Sequence, residues 1–138
     1  MRKKIVRRLG LWALILGIYP LFVLGYTWAN VCQSDLKGGR HGPLDAYRHT
    51  LASAVVSYTL DESVVAAITI LMESGKKDSN RMDGHNNRIG AQIGADAKSF
   101  GDIEPKVRKV ILDGAINSTE RDRISWLPGE RWSNGRFW

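Results

Sequence analysis

The 138-residue chain has one cysteine, Cys32, so no internal disulfide can staple it. Its first 29 positions contain no acid and hold five of its 20 basic residues: Arg2, Lys3, Lys4, Arg7 and Arg8. The remainder carries 15 basic against 14 acidic side chains, so the formal charge of +6 is almost wholly N-terminal. A nearly neutral body lacks the clustered cations of a nucleic-acid groove, and no nucleic-acid partner is expected. Internal repeats and low-complexity stretches are absent. So are runs of alternating apolar and polar residues between hairpin turns, which excludes a sheet-based fold. Neither HExxH nor paired CxxC occurs, so no standard zinc spacing is present.

What is present first is an uncharged run of 21 residues, Leu9 to Ala29. At helical rise it spans roughly 31 Å, close to the hydrocarbon thickness of a bilayer. The basic cluster ahead of it predicts a cytoplasmic N-terminus, and Tyr19, Tyr26 and Trp28 suit the membrane interface. Residues 1–29 therefore read as a basic tip and single-pass anchor in a bacterial inner membrane, with a periplasmic body. A cleaved signal peptide is the alternative, since Thr27-Trp28-Ala29 is a tolerable processing site. Pro20 is expected to kink a membrane helix. Cys32, just beyond the span, reads as an interfacial thiol, with an intermolecular disulfide or lipidation as alternatives. Val31 fits poorly where lipoprotein processing wants a small residue.

The body reads as all-α. A linker over 30–42 ends in the breakers Gly42-Pro43. A bundle of about four helices is expected over 43–117. The first begins at Pro43 and carries Leu44, Tyr47, Leu51, Ala54, Val55 and Tyr58 at the 3.6 period through Thr59. The second is capped by Asp61 and runs to about Ser74; being apolar on every side, it is expected to be the central helix. A third covers about Ser79 to Ser99, with Met82, Ile89, Ile93 and Ala97 on one stripe. A fourth starts at Pro105 and turns Val107, Val110, Ile111 and Ala115 inward. The tail over 118–138 holds Trp126, Arg131, Trp132, Arg136, Phe137 and Trp138. Tryptophan with arginine suits a protein partner or the bilayer surface, and the rings can equally fold back over the bundle.

Polar residues fall on definite helical faces. Asp45, His49 and Ser53 stand four apart on the first body helix, so the carboxylate can orient the imidazole for acid–base work or metal ligation. His41 lies just ahead and Arg48 is adjacent. Glu73 closes the apolar second helix, where a carboxylate is expected to be partly desolvated and suited to general acid–base catalysis. Asp83, Asn87, Gly90 and Gly94 share one stripe of the third helix; the glycines allow a neighbouring helix to come close and turn the Asp and Asn into the seam. His85 and Asn86 lie between them. If the first and third helices pack beside Glu73, all of these converge on one pocket. Three readings fit that pocket: a satisfied polar network that fixes helix register, a metal-free hydrolytic site, and a divalent-metal site drawing on His41, His49, Asp83 and His85.

Two resemblances bear on these residues. His41-Gly42-Pro43-x-Asp45-Ala46-x-Arg48-His49, then Glu73, then Met82-Asp83-x-His85-Asn86-Asn87-x-x-Gly90 resembles an uncharacterised all-helical domain of bacterial secreted and toxin-associated proteins. It covers about positions 40–95 and implies a domain rather than a reaction. Glu73-Ser74 followed by Gly90-Ala91-Gln92 is more weakly similar to the catalytic Glu-Ser and G-L-M-Q blocks of lysozyme-like glycan-cleaving enzymes, though a histidine- and asparagine-rich helix stands here where those have a polar loop.

The combined expectation is a membrane-anchored hydrolase of an envelope component, lipid or peptidoglycan. His49, Asp45 and Glu73 are its catalytic candidates, and His41, Arg48, Asp83, His85, Asn86 and Asn87 support substrate or metal. The alternative is a non-catalytic subunit of a secretion, conjugation or phage-related envelope assembly.

Overall fold

A computed structural model describes residues 2–133 and Gly135; Arg136, Phe137 and Trp138 of the expected docking tail lie outside the described residues. The chain is all-α, a long N-terminal helix followed by a small bundle. Helix α1 (Arg2–Ala13), a π turn (Leu14–Ile18) and α2 (Tyr19–Gln33) run as one rod. Over Lys3–Gln33 it is long and apolar enough to cross a membrane, with a mean hydropathy of 1.9 in its most apolar window. Proline has no N–H and crowds the carbonyl four residues back, and the wider π turn just ahead of Pro20 relieves that conflict without ending the helix.

From Lys3 to Ile18 every side chain of this rod is exposed, whereas Val23, Thr27 and Val31 are buried. The second half of the apolar run is thus part of the body's core. It lies antiparallel to α3 (Pro43–Thr59): the Tyr19 hydroxyl meets Thr59 Oγ1 at 2.6 Å near one end, and the Trp28 ring lies 5.3 Å from the Arg48 guanidinium toward the other. Phe100 fills the junction, its ring 4.9 Å from Tyr26 and 6.0 Å from both Phe22 and Tyr58. Because α2 continues to Gln33, the connecting loop is 34–42 rather than 30–42.

Helix α3 keeps its expected bounds and buries Leu44, Tyr47, Leu51, Ala54 and Val55. It is the central helix, packed against α2, α4 (Glu62–Met72), α5 (Asp78–Ala95) and α6 (Ile103–Leu112). The expectation that α4 holds that place is corrected. Asp61 caps α4 by accepting from the Ser63 N–H, but Val65 is its one buried residue, and Ile70, Leu71 and Met72 are at least 70% exposed. The centre goes to α3 because two glycines of α5 let that helix come close to it: a Cβ on Gly90 or Gly94 would stand 2.3 Å from Thr50 O or 2.2 Å from Ala54 O. Ser53 bonds Asn87 and Ser57 bonds the Ala91 carbonyl, so α3 and α5 run parallel. Both N-termini therefore lie at the same end of the bundle.

Helix α6 starts at Ile103, two residues before Pro105, and buries Ile103, Val107 and Ile111. A short parallel pair, β1 (Ala115–Ile116) and β2 (Ser125–Trp126), follows. The described part of the tail folds back. Trp126 is half-buried against Gly114, and Trp132 lies over Gly38 and Gly42 and donates its indole N–H to Leu127 O at 2.6 Å. Arg131 remains exposed, 3.8 Å from Asp78.

Candidate functional site

The parallel packing of α3 and α5 sets Asp45 and His49, in the first two turns of one helix, against Asp83 in the second turn of the other. Asp45 is 3% exposed and tightly held. Its Oδ2 accepts the His41 backbone N–H at 2.6 Å, and its Oδ1 is ion-paired with Arg48. His49 stands between two carboxylates, with Nε2 3.6 Å from Asp45 Oδ1 and 3.8 Å from Asp83 Oδ2.

Asp83 is buried, and its Oδ1 is enclosed with no hydrogen-bond donor. Burial pushes its carboxyl up to about 6; His49 opposes the rise, Asp45 and Glu73 add to it, and Arg48 opposes it. His41 has φ +64, the left-handed region that non-glycine residues avoid at roughly 1 to 2 kcal/mol. It is pinned there through its N–H on Asp45 and its carbonyl, which accepts Leu127 N–H at 2.9 Å. Burial lowers the imidazole's affinity for a proton, Asp45 opposes this, and Arg40 and Arg131 add to it. Its Nδ1, 4.0 Å from Asp45 Oδ2, has no hydrogen-bond partner. These side chains line a cavity of about 440 Å³ with Arg40, Ser79 and Asn80.

Of the residues expected to converge, the structure brings together His41, Asp45, Arg48, His49 and Asp83. His85 points elsewhere, its ring bonded to Arg123 O at 2.8 Å and to Arg88 at 3.1 Å. Asn86 is fully buried as a clamp, exchanging two hydrogen bonds with the Ser125 backbone. Asn87 ties Ser53 of α3 to Thr69 of α4. These three are structural in their contacts. Glu73, at the C-terminal end of α4, is half-buried and acts on Asp83 through charge rather than contact. Arg40, Ser79 and Asn80 escaped the sequence reading. Ser79 and Asn80 stand one turn ahead of Asp83, on the same face, and that periodicity was the available signal.

One oxygen of Asp45, Nε2 of His49 and one oxygen of Asp83 lie within 4.8 Å of one another, so the trio could hold a metal ion. Ligands around a first-row ion stand about 2.0 to 2.2 Å from it, so a small inward movement suffices. His85 is too far into its own contacts to join them, and His41 approaches only Asp45. Arg48 weighs against an ion, because its guanidinium already occupies Asp45 Oδ1.

Compared with family models, with curated proteins and with solved structures, the chain matches none.

Proposed function

We propose that the chain is a membrane-anchored extracytoplasmic hydrolase acting on an envelope lipid, with Asp45, His49 and Asp83 as its acid–base centre. The observation that carries this reading is an imidazole between two buried carboxylates, at the rim of a cavity, on the joined N-terminal ends of two helices. Lipid rather than peptidoglycan is favoured by position. Arg48 of the site rests on Trp28, ten residues or about 15 Å of helix beyond the wholly exposed stretch that ends at Ile18, which favours a site held near the bilayer surface. The five basic residues ahead of the run favour a cytoplasmic N-terminus and a periplasmic body.

In this mechanism His49 Nε2 and Asp83 Oδ2 bind one water. Asp83 takes its proton, the hydroxide oxygen attacks the substrate's electrophilic centre, and the departing alkoxide takes that proton back from Asp83. Asp45, locked by Arg48 and the His41 N–H, orients His49. A carboxyl that titrates near neutrality suits such a two-way transfer. The role of base thus moves from Glu73 or His49 to Asp83, because Glu73 makes no contact with the imidazole. In a metal-dependent variant, Asp45, His49 and Asp83 would hold a divalent ion that supplies a more acidic water.

The exposed apolar row Ile68, Ile70, Leu71 and Met72 favours a second reading, a non-catalytic subunit of an envelope assembly that covers α4. Full-length protein in nanodiscs of envelope lipid extract separates the two. The hydrolase releases a water-soluble or lysolipid product seen by mass spectrometry, and Asp83→Asn abolishes it with the fold intact. No product from any envelope lipid would sink the enzyme reading. An active periplasmic reporter fused to the C-terminus would support the orientation, and an inactive one would remove the envelope substrate.

A further inference from the structure

We infer that the groove beside the acid–base centre is a phosphate subsite, so that the hydrolase proposed above takes a phosphate-bearing substrate. The proposal rests on that reading and names its substrate class. The groove, about 430 Å³, shares Arg40, His41, Ser79 and Asn80 with the catalytic cavity, so a ligand bound in one reaches the other. Beyond that shared wall it adds Lys76, Lys77 and Arg131.

Four cations thus face a single acid, Asp78, and Asp78 is already ion-paired with Arg81. Arg40, Lys76 and Lys77 make no ion pair among the described residues. A body with 15 basic and 14 acidic side chains has no general excess to spread, so four cations on one groove are a local concentration. Asp78, which also stands 3.8 Å from Arg131, offsets part of their mutual repulsion, and a bound anion would offset the rest.

Two further features favour phosphate. The parallel N-termini of α3 and α5 both point to this end of the bundle and add partial positive charge; the first N–H groups of α3 are taken by Lys37 O and Gly38 O, whereas those of Asp78, Ser79 and Asn80 on α5 donate to no backbone carbonyl among the described residues and are open to a ligand. His41 Nδ1, on a residue of the shared wall, is buried without a partner, as is one Arg48 nitrogen in the adjoining catalytic cavity. A tetrahedral dianion offers enough acceptors to satisfy lysines, an arginine and a histidine together, which a planar carboxylate does not. The source is either the headgroup of an anionic lipid or a soluble phosphate ester.

The test uses full-length Asp83→Asn protein, so that binding is measured without turnover, in phosphatidylcholine nanodiscs at fixed ionic strength. Inorganic phosphate is titrated by calorimetry. Saturable binding is expected, weakened about tenfold or more by Lys76→Gln, Lys77→Gln and Arg131→Gln combined. All three positions are exposed, so their loss leaves the fold in place, which an unchanged melt verifies. Repeating the titration in nanodiscs containing phosphatidic acid assigns the source: competition with phosphate indicates the lipid headgroup, and undisturbed phosphate binding indicates a soluble ester. Absent phosphate binding, or an affinity indifferent to the triple change, overturns the subsite. Phosphate binding in a protein that hydrolyses nothing leaves the subsite standing and removes only the enzyme reading.

Discussion

The α-carbon of Gly90 sits so close to the carbonyl of Thr50 that a single added methyl group would stand 2.3 Å from that oxygen. Backbone rather than a flexible side chain is the obstacle, so the helices themselves must part. Gly90→Ala is expected to destabilise the body by about 1 to 3 kcal/mol, and Gly94→Ala similarly. The seam also sets the reach of His49 to Asp83, so the variant's activity should fall further than its folded fraction. Thermal melts and activity on the same preparation check this; an unchanged melting temperature would show that α3 and α5 do not meet there.

The two buried aspartates should respond oppositely to amidation. Asp83 has a carboxyl raised from the ordinary 3.8 to about 6, so its folded state holds a proton that the unfolded chain has lost. Stability then falls as pH rises from about 4 to 6 and stays reduced above, by about 3 kcal/mol from this group. Asp83→Asn is therefore expected to stabilise the protein at pH 7 while stopping catalysis, with its advantage vanishing toward pH 4. Asp45→Asn strands Arg48 and should cost roughly 3 to 5 kcal/mol. Denaturant titrations from pH 4 to 8 distinguish them; stability loss in Asp83→Asn at pH 7 would recast the cluster as a structural network.

His41 offers a separate test of strain. Its left-handed backbone is held by contacts at both its N–H and its carbonyl. Glycine adopts that conformation freely and alanine does not. His41→Gly should therefore be more stable than His41→Ala by about 1 kcal/mol, although both lose the imidazole. Equal activity losses with unequal melts would assign the ring to function and the backbone to fold. If the alanine variant is the more stable, the strain is not present.

What the sequence made legible follows from what periodicity can report. Helix α3 was readable end to end because Pro43 fixes its start and Leu44, Tyr47, Leu51 and Val55 mark one buried face. The apolar run of α4 says only that few of its side chains seek hydrogen bonds; it does not say what covers them. The place of α4 was decided by the small residues on α3 and α5, which brought those two together first. His85, Asn86 and Asn87 were misleading for a geometric reason. Consecutive helix positions point about 100° apart, so three neighbours cannot serve one pocket. They go instead to the 121–123 loop, to β2 and to α4. Asp45, His49 and Asp83 were recoverable because their spacing placed each on a definite face, and the parallel glycine seam joined the faces.

Arg48 decides between the two chemistries the cluster allows. Its guanidinium lies on Asp45 Oδ1, the oxygen nearest His49 Nε2, so an ion entering there would meet both an occupied ligand and a like charge. A metal-independent reaction is accordingly expected: dialysis against a chelator should leave hydrolysis unchanged, and zinc or manganese should bind the native protein weakly. Arg48→Gln removes the competing charge and frees the oxygen, so it should bind either ion more tightly than the native chain does while losing activity, because Asp45 no longer holds its orientation. The opposite pattern, activity lost on chelation and restored by one metal, with weaker binding in Arg48→Gln, would make the guanidinium a support for a metal ligand and transfer the water-activating role from Asp83 to the ion.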